Sequence, residues 1–235
     1  MPSEVLTLSE LLGKPEFQPT KRMDSTAEQI VMAHVQSRRS ANLFPLSTDD
    51  LTTLIEKYAE ELDTYADLGE FGEGVEGLTL FRPRAKPIVR VSGLLNESSN
   101  ENRLRSTLAH ELGHVLLHDL QFQREAQETL FDSSVQYLQV CYRDGAESLG
   151  QGDLFEYQAW YMCGALLMPI SELTARVTAK AQASDSYSEI WQDSALGQEV
   201  IEDASSWFCV SKALARIRLL KTSLIVETEP SPALF

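Results

Sequence analysis

The chain has 235 residues, 43% of them hydrophobic and 23% charged, a balance that supports a folded core and excludes wholesale disorder. Twenty Lys and Arg against 35 Asp and Glu leave a net charge of −15, and so acidic a surface repels nucleic-acid phosphates and anionic lipid, excluding nonspecific DNA binding by the whole molecule. No apolar run approaches the roughly 18 residues of a membrane span, MPSEVLTLSELLGKPEF lacks signal-peptide blocks, and Cys141, Cys163 and Cys209 form no CxxC pair, so the expectation is a cytoplasmic protein without a disulfide framework or a Cys-based zinc site.

Residues 1–24 read as surface chain. TAEQIVMAHVQSRR (26–39) has apolar residues at helical spacing and predicts a first helix. Ser47 is placed to cap a second, DDLTTLIEKYAEEL, whose acidic first turn suits the helix dipole. After a Gly- and Glu-rich turn (69–77), GLTLFRP (77–83) and PIVRVSG (87–93) predict two strands, antiparallel because their connection is short. SSNENRLRSTLAHELGHVLLHDL follows, with Ser98 and Glu101 at capping-box spacing and an apolar stripe of Leu104, Leu108, Leu112 and Val115, which predicts a buried helix of about five turns. Residues 119–153 are polar and less regular, with QETLFDSSVQYLQVCYR supplying a short helix or strand. DLFEYQAWYMCGALLMP (153–169) predicts a helix ending at Pro169, further helices are expected at 171–183 and 195–206, and Ser211 caps a last one, KALARIRLL, before a short strand SLIVET. The expected class is α+β and mainly helical.

The chemistry concentrates in His110-Glu111-Leu112-Gly113-His114. Histidines four apart on a helix differ by only about 40° around its axis, so both imidazoles can reach one ion. Glu111 stands about 60° from His114, beside the pair, where a carboxylate can reach a water on the metal without displacing it. Two neutral nitrogen ligands, an open position and a nearby base are what a metal hydrolase needs.

Zinc needs a third protein ligand. His118 lies one turn further on, but three ligands in a row on a straight helix close a tetrahedron poorly, so it reads as a residue beside a ligand or on the substrate side. The spacing with a third histidine ten residues after the first is absent, since position 120 is Leu. Glu156 is the other candidate. It shares a helix face with Ala159, Trp160, Cys163 and Leu167, and the small residues Ala159, Cys163 and Gly164 allow that helix a close approach to the HExxH helix. Asp153 and Glu156 also have capping-box spacing, which gives Glu156 a purely local use; spacing leaves both readings open.

HELGHVLLH after RSTLA, EYQAWYMCGALLMP from Glu156 to Pro169, the preceding EGLTLF and PIVRV, and the following FCVSKALARIRLL together resemble the ImmA/IrrE family of metallopeptidases over roughly residues 45–225. HExxH alone is common to many zinc peptidases; its pairing with E…A…LLMP and VSxxAL is far more specific. The resemblance implies a zincin-like metallopeptidase core; the two strands give it a small antiparallel sheet, and ALGQEVIEDASSWFCVSKALARIRLL (195–220) has the rhythm of a C-terminal helix-turn-helix-like segment. The expected organisation is an N-terminal extension with one helix (1–44), a metallopeptidase domain (45–185) with an insertion at about 119–152, and a C-terminal helical subdomain (186–235). It also implies His110, His114 and Glu156 as zinc ligands and Glu111 as catalytic base. Met162 stands where the family usually has an aromatic residue, and Trp160 where a small polar one is common.

The expected reaction is peptide hydrolysis by Glu-assisted attack of zinc-bound water, with Mn²⁺ or Fe²⁺ as alternative occupants of a His₂Glu site. His118, Tyr157, Tyr161 and Arg105 have the chemistry to stabilise the oxyanion; tyrosines at a core edge and a solvated Arg105 are the structural alternatives. The resemblance implies a helix-turn-helix repressor as substrate, with no membrane and no direct nucleic acid as partner. A zinc-stabilised interaction module, partner of a repressor or toxin, is the competing class. A DNA-reading role for 195–220 would use Lys212, Arg216, Arg218 and Lys221; the structural alternative packs the last helix through Val210, Leu214, Ile217 and Leu220.

Overall fold

The computed structural model describes residues 5–7, 12, 14–41, 43–97, 100–128, 136–142, 153–186 and 188–228. They form two compact units, one of Met1–Met23 with Ser47–Cys163 and one of Asp24–Leu46 with Gly164–Phe235. The fold is mainly helical α+β, as expected of a zincin-like peptidase domain.

The first unit is built on a five-stranded sheet: β1 (Val5–Thr7), β2 (Glu61–Ala66), β3 (Val75–Phe81), β4 (Ile88–Ser92) and β5 (Gln136–Tyr142), in the order β1-β5-β3-β4-β2. The strands expected from GLTLFRP and PIVRVSG are β3 and β4, paired antiparallel. The sheet as a whole is mixed: β3 also runs antiparallel to β5, while the outer pairs β1–β5 and β2–β4 are parallel. Every residue of β3 is buried, as a central strand covered on both faces requires.

Helix α1 (Thr20–Arg38) starts six residues before the expected 26. Helix α2 (Thr48–Tyr58) has the predicted cap: Asp50 N donates to Ser47 Oγ at 3.1 Å and Ser47 N donates to the Asp50 carboxylate at 2.9 Å. It buries Leu51, Leu54 and Ile55 but stops short of the expected Leu62. Ala59 is extended, and Glu61–Ala66 becomes β2 because pairing with β4 satisfies its backbone, a tertiary gain that outweighs the helix preference of Glu and Leu.

A short helix α3 (Gly93–Glu97) leads to α4 (Glu101–Glu128), 28 residues long and so well beyond the predicted five turns. Ser98 lies outside the described residues; at this end Arg103 N donates to Asn100 Oδ1 at 3.1 Å. Leu104, Leu108, Leu112 and Val115 are buried as the stripe predicts. Within 119–152, α4 continues to Glu128 and the ambiguous QETLFDSSVQYLQVCYR supplies β5, a strand between β1 and β3.

Helix α5 (Leu154–Leu167) crosses α4 closely. At Gly113 a Cβ would stand 2.9 Å from the Ala159 carbonyl oxygen and 3.2 Å from its Cα. These are backbone atoms that cannot step aside, so Gly113→Ala is expected to destabilise the chain by about 1–3 kcal/mol through overpacking. An unchanged denaturant midpoint would contradict so close an approach.

In the second unit, α6 (Ile170–Ala183), α7 (Ala195–Phe208) and α8 (Lys212–Lys221) bury Leu173 and Val177, then Val200, Ile201, Ala204 and Phe208, then Leu214, Ala215 and Leu219. Ser211 caps α8 as predicted, accepting from Leu214 N. The expected strand SLIVET is reduced to one bridge between Trp191 and Val226. Among the residues of the DNA reading, Arg218 is buried, 2.7 Å from Asp24 and directed at the Met168 carbonyl, and Lys212 pairs with Glu202. Val210 and Leu214 pack inward as the structural alternative expects, with Ile217 and Leu220 half-buried.

Candidate metal centre

Side chains alternate across a strand, so Gly77, Thr79 and Phe81 of β3 share one face. Their register partners on β5 are Cys141, Gln139 and Tyr137. Phe81 and Tyr137 pack with Phe122 of α4 and Phe155 of α5 in an apolar cluster; Leu78, Leu80 and Leu138 face the other way into a second one. The helix-facing surface is thus apolar at Phe81–Tyr137 and polar at Thr79–Gln139, and the polar stretch meets the HExxH turn.

His110 and His114 bring their Nε2 atoms to 3.0 Å from each other. From α5, Glu156 places Oε2 3.2 Å from His110 Nε2 and Oε1 3.1 Å from His114 Nε2. Ligands about 2.1 Å from one ion at tetrahedral angles lie about 3.4 Å apart, and the two ring nitrogens, 3.0 Å from each other and each 3.1–3.2 Å from one oxygen of the carboxylate that spans them, are already close to that spacing. The donor set, two imidazoles and a carboxylate, suits a divalent ion. Both histidines are buried, Trp160 packs against His110 with centroids 4.3 Å apart and ring planes tilted by 47°, and Glu156 keeps 25% of its side chain exposed. Burial alone would raise the Glu156 carboxyl, but His110 and His114 outweigh it by charge and hydrogen bond and hold it well below the usual carboxylate range. Gln139 donates to Glu156 Oε1 at 2.7 Å. The capping alternative falls to Asp153, whose Oδ1 accepts from Phe155 N at 2.8 Å.

Glu111 is buried against the sheet. Thr79 Oγ1 donates to its Oε2 at 2.6 Å, while Oε1 has no hydrogen-bond partner among the described residues. A Cβ at position 77 would lie 2.5 Å from Oε1, so the glycine makes room for the carboxylate. Cys141, opposite Gly77, completes a buried cluster with His110 and Glu111. Its thiol is pushed well above its usual value by burial and then by Glu111 and Glu156.

Burial, aided by the Glu156 charge, raises the Glu111 carboxyl to about 8 against the opposing pull of His114 and Thr79. The native metal-free chain therefore holds a proton there that the unfolded chain releases near 4.5, and this stabilisation is lost as pH rises through about 8. His118, held well below 6.5 by burial, has the opposite sign, but its contribution is complete above 6.5. Between pH 6.5 and 8 the metal-free chain should therefore lose about 2 kcal/mol of stability. Glu111→Gln should remove this slope in denaturant titrations; equal slopes in the two proteins would contradict a raised Glu111.

Of the four residues proposed around the oxyanion, His118 joins the cluster, its Nδ1 3.0 Å from His114 Nδ1. Arg105 is buried rather than solvated, and the helix turns it about 180° away from His114. Tyr157 and Tyr161 lie about 100° and 140° around α5 from Glu156. The residues that sequence reasoning missed are Thr79, Gln139 and Gln158; only Gly77, a lone glycine within a strand, carried a local sign of close approach.

The model of a peptidase family described as the IrrE N-terminal-like domain (peptidase M78) matches residues 94–219, more than half of the chain. The chain belongs to this family. Among curated proteins no match was found. The IrrE-like match runs from α3 through α8 and so includes His110, Glu111, His114, Gln139 and Glu156, whereas Gly77 and Thr79 precede it. Membership makes the chain a peptidase of a metallopeptidase-like family.

Proposed function

We propose that this chain is a zinc-dependent endopeptidase that cuts a protein substrate, a helix-turn-helix transcriptional repressor. The observation that carries this reading is the convergence of His110, His114 and Glu156 beside the buried Glu111 carboxylate. In it the trio holds the ion; zinc is preferred from the ligand types, with Mn²⁺ or Fe²⁺ as alternatives. A divalent ion held there supplies Lewis-acid polarisation and positive charge, which acidify water and draw the Glu111 carboxyl down toward its ionised form.

Glu111 acts as the base that takes the proton of the attacking water and returns it to the leaving amine. Thr79 occupies Oε2 and leaves Oε1 without a partner, so one carboxylate oxygen is anchored and the other remains to accept. Gln139 restrains Glu156, and Trp160 shields His110 from solvent. An acidic chain gains electrostatic steering toward a basic DNA-binding substrate. No described helix is long and apolar enough to cross a membrane, which agrees with a cytoplasmic regulator as target. The test is cleavage of a purified repressor of this class by the metal-loaded chain, beside the Glu111→Gln variant and a chelator control. A loaded chain that leaves it intact overturns the reading.

A further inference from the structure

The His114 ring turns Nε2 toward His110 and Glu156 and Nδ1 toward His118. A neutral imidazole carries one proton, and only the form with the proton on Nδ1 leaves Nε2 a lone pair to give an ion. What selects that form can be followed outward through buried groups. His118 Nδ1 is 3.0 Å from His114 Nδ1, and its Nε2 is 3.2 Å from Gln158 Oε1. Gln158 Nε2 in turn lies 2.9 Å from the backbone carbonyl oxygen of Glu16.

The direction of this chain is settled at its far end. A carbonyl oxygen can only accept, so the Gln158 amide must present its NH₂ to Glu16 and its oxygen to His118. His118 must then donate from Nε2. Buried, with His114 and the Gln158 amide rather than a carboxylate at its ring nitrogens, it is neutral, so its Nδ1 is an acceptor and the proton between the two rings belongs to His114. The terminal carbonyl is itself held: Glu16 N donates to Gln121 Oε1 at 2.8 Å, Gln121 Nε2 donates to the Lys14 carbonyl at 3.2 Å, and Arg124 pairs with the Glu16 carboxylate. Phe155 packs edge-on against His118 with centroids 4.9 Å apart, fixing its ring plane.

We propose that the segment Lys14–Glu16, through Gln158 and His118, sets the tautomer of His114 and thereby prepares Nε2 as a metal donor. His118 and Gln158 are positioning residues in this scheme, and an N-terminal stretch far from the HExxH helix in sequence is part of the metal centre. The proposal rests on the reading of His114 as a ligand. It makes metal affinity sensitive to residues that touch no ion.

The experiment uses the full chain with ¹⁵N-labelled histidine. Its four histidines give a spectrum simple enough to assign, and long-range ¹⁵N–¹H correlations report each tautomer with and without Zn²⁺. The expected result is Nδ1–H for His114 and Nε2–H for His118 in both states. His118→Phe fills the ring volume and removes the acceptor; it should lower Zn²⁺ affinity about 10–100-fold in competition with a chromophoric chelator. His118→Asn, which returns an acceptor oxygen near the Nδ1 position, should recover most of that loss. Gln158→Leu should leave His118 as a mixture of tautomers. The proposal is overturned if His114 carries its proton on Nε2 in the metal-free chain, or if folded His118→Phe binds Zn²⁺ within twofold of the parent. The metal-free spectra of the parent and Gln158→Leu decide the matter even if His118→Phe does not fold. A loaded chain that shows these tautomers yet cuts no repressor would overturn the peptidase reading alone.

Discussion

Glu111→Gln is expected to retain its metal and to lose peptide hydrolysis by about 10²–10⁴-fold, the usual contribution of a positioned general base. Glutamine has the shape of the acid it replaces. Its amide oxygen can accept from Thr79 as Oε2 does, and Gly77 leaves room for the other atom. It cannot take a proton, so the variant separates proton transfer from metal binding. It should also be more stable than the parent when metal-free at pH 8, where the parent begins to hold a buried charge. The measurements are metal per chain by elemental analysis and cleavage of a repressor by gel. Cleavage at the parent rate would move the base elsewhere. One bound metal in both proteins with cleavage in neither would favour the interaction-module class.

The second large effect is expected at Glu156. Glu156→Ala removes the carboxylate that spans both Nε2 atoms at 3.1 and 3.2 Å and leaves two imidazoles to hold the ion. Affinity should fall by more than the 10–100-fold that follows loss of a group merely touching a ligand. Thermal stability reports it. At a metal concentration about 100 times Kd, binding adds about 2.7 kcal/mol, worth about 5–10 °C in Tm for a chain of this size. The parent should show that rise and the variant almost none. Equal rises would mean that Glu156 is not a ligand.

The sequence made the HExxH turn legible because a helix is a local object: the angle between His110 and His114 follows from spacing alone. The same arithmetic turns Arg105 to the side of its helix opposite His114. Glu156 was harder, because a ligand on a second helix and a cap on its own helix have the same spacing, and the family resemblance carried the choice. What spacing could not give is the sheet's contribution. Thr79 and Gln139 matter through strand register, which joins residues 60 positions apart. The Glu–Leu stretch that becomes β2 carries helix-forming residues, and only its partner strand makes it extended. The use of Glu16 follows from tertiary contact, with no motif around it.

The two side chains that steady the carboxylates, Thr79 on Glu111 and Gln139 on Glu156, are directly opposed on neighbouring strands. A slip of one position on either strand would bring a leucine or valine to that place: Leu78 or Leu80 on one, Leu138 or Val140 on the other. Glu111 and Glu156 would then lose their anchors together. Competence for hydrolysis should therefore vanish in a single step with the pairing of these strands, ahead of any general melting of the helices.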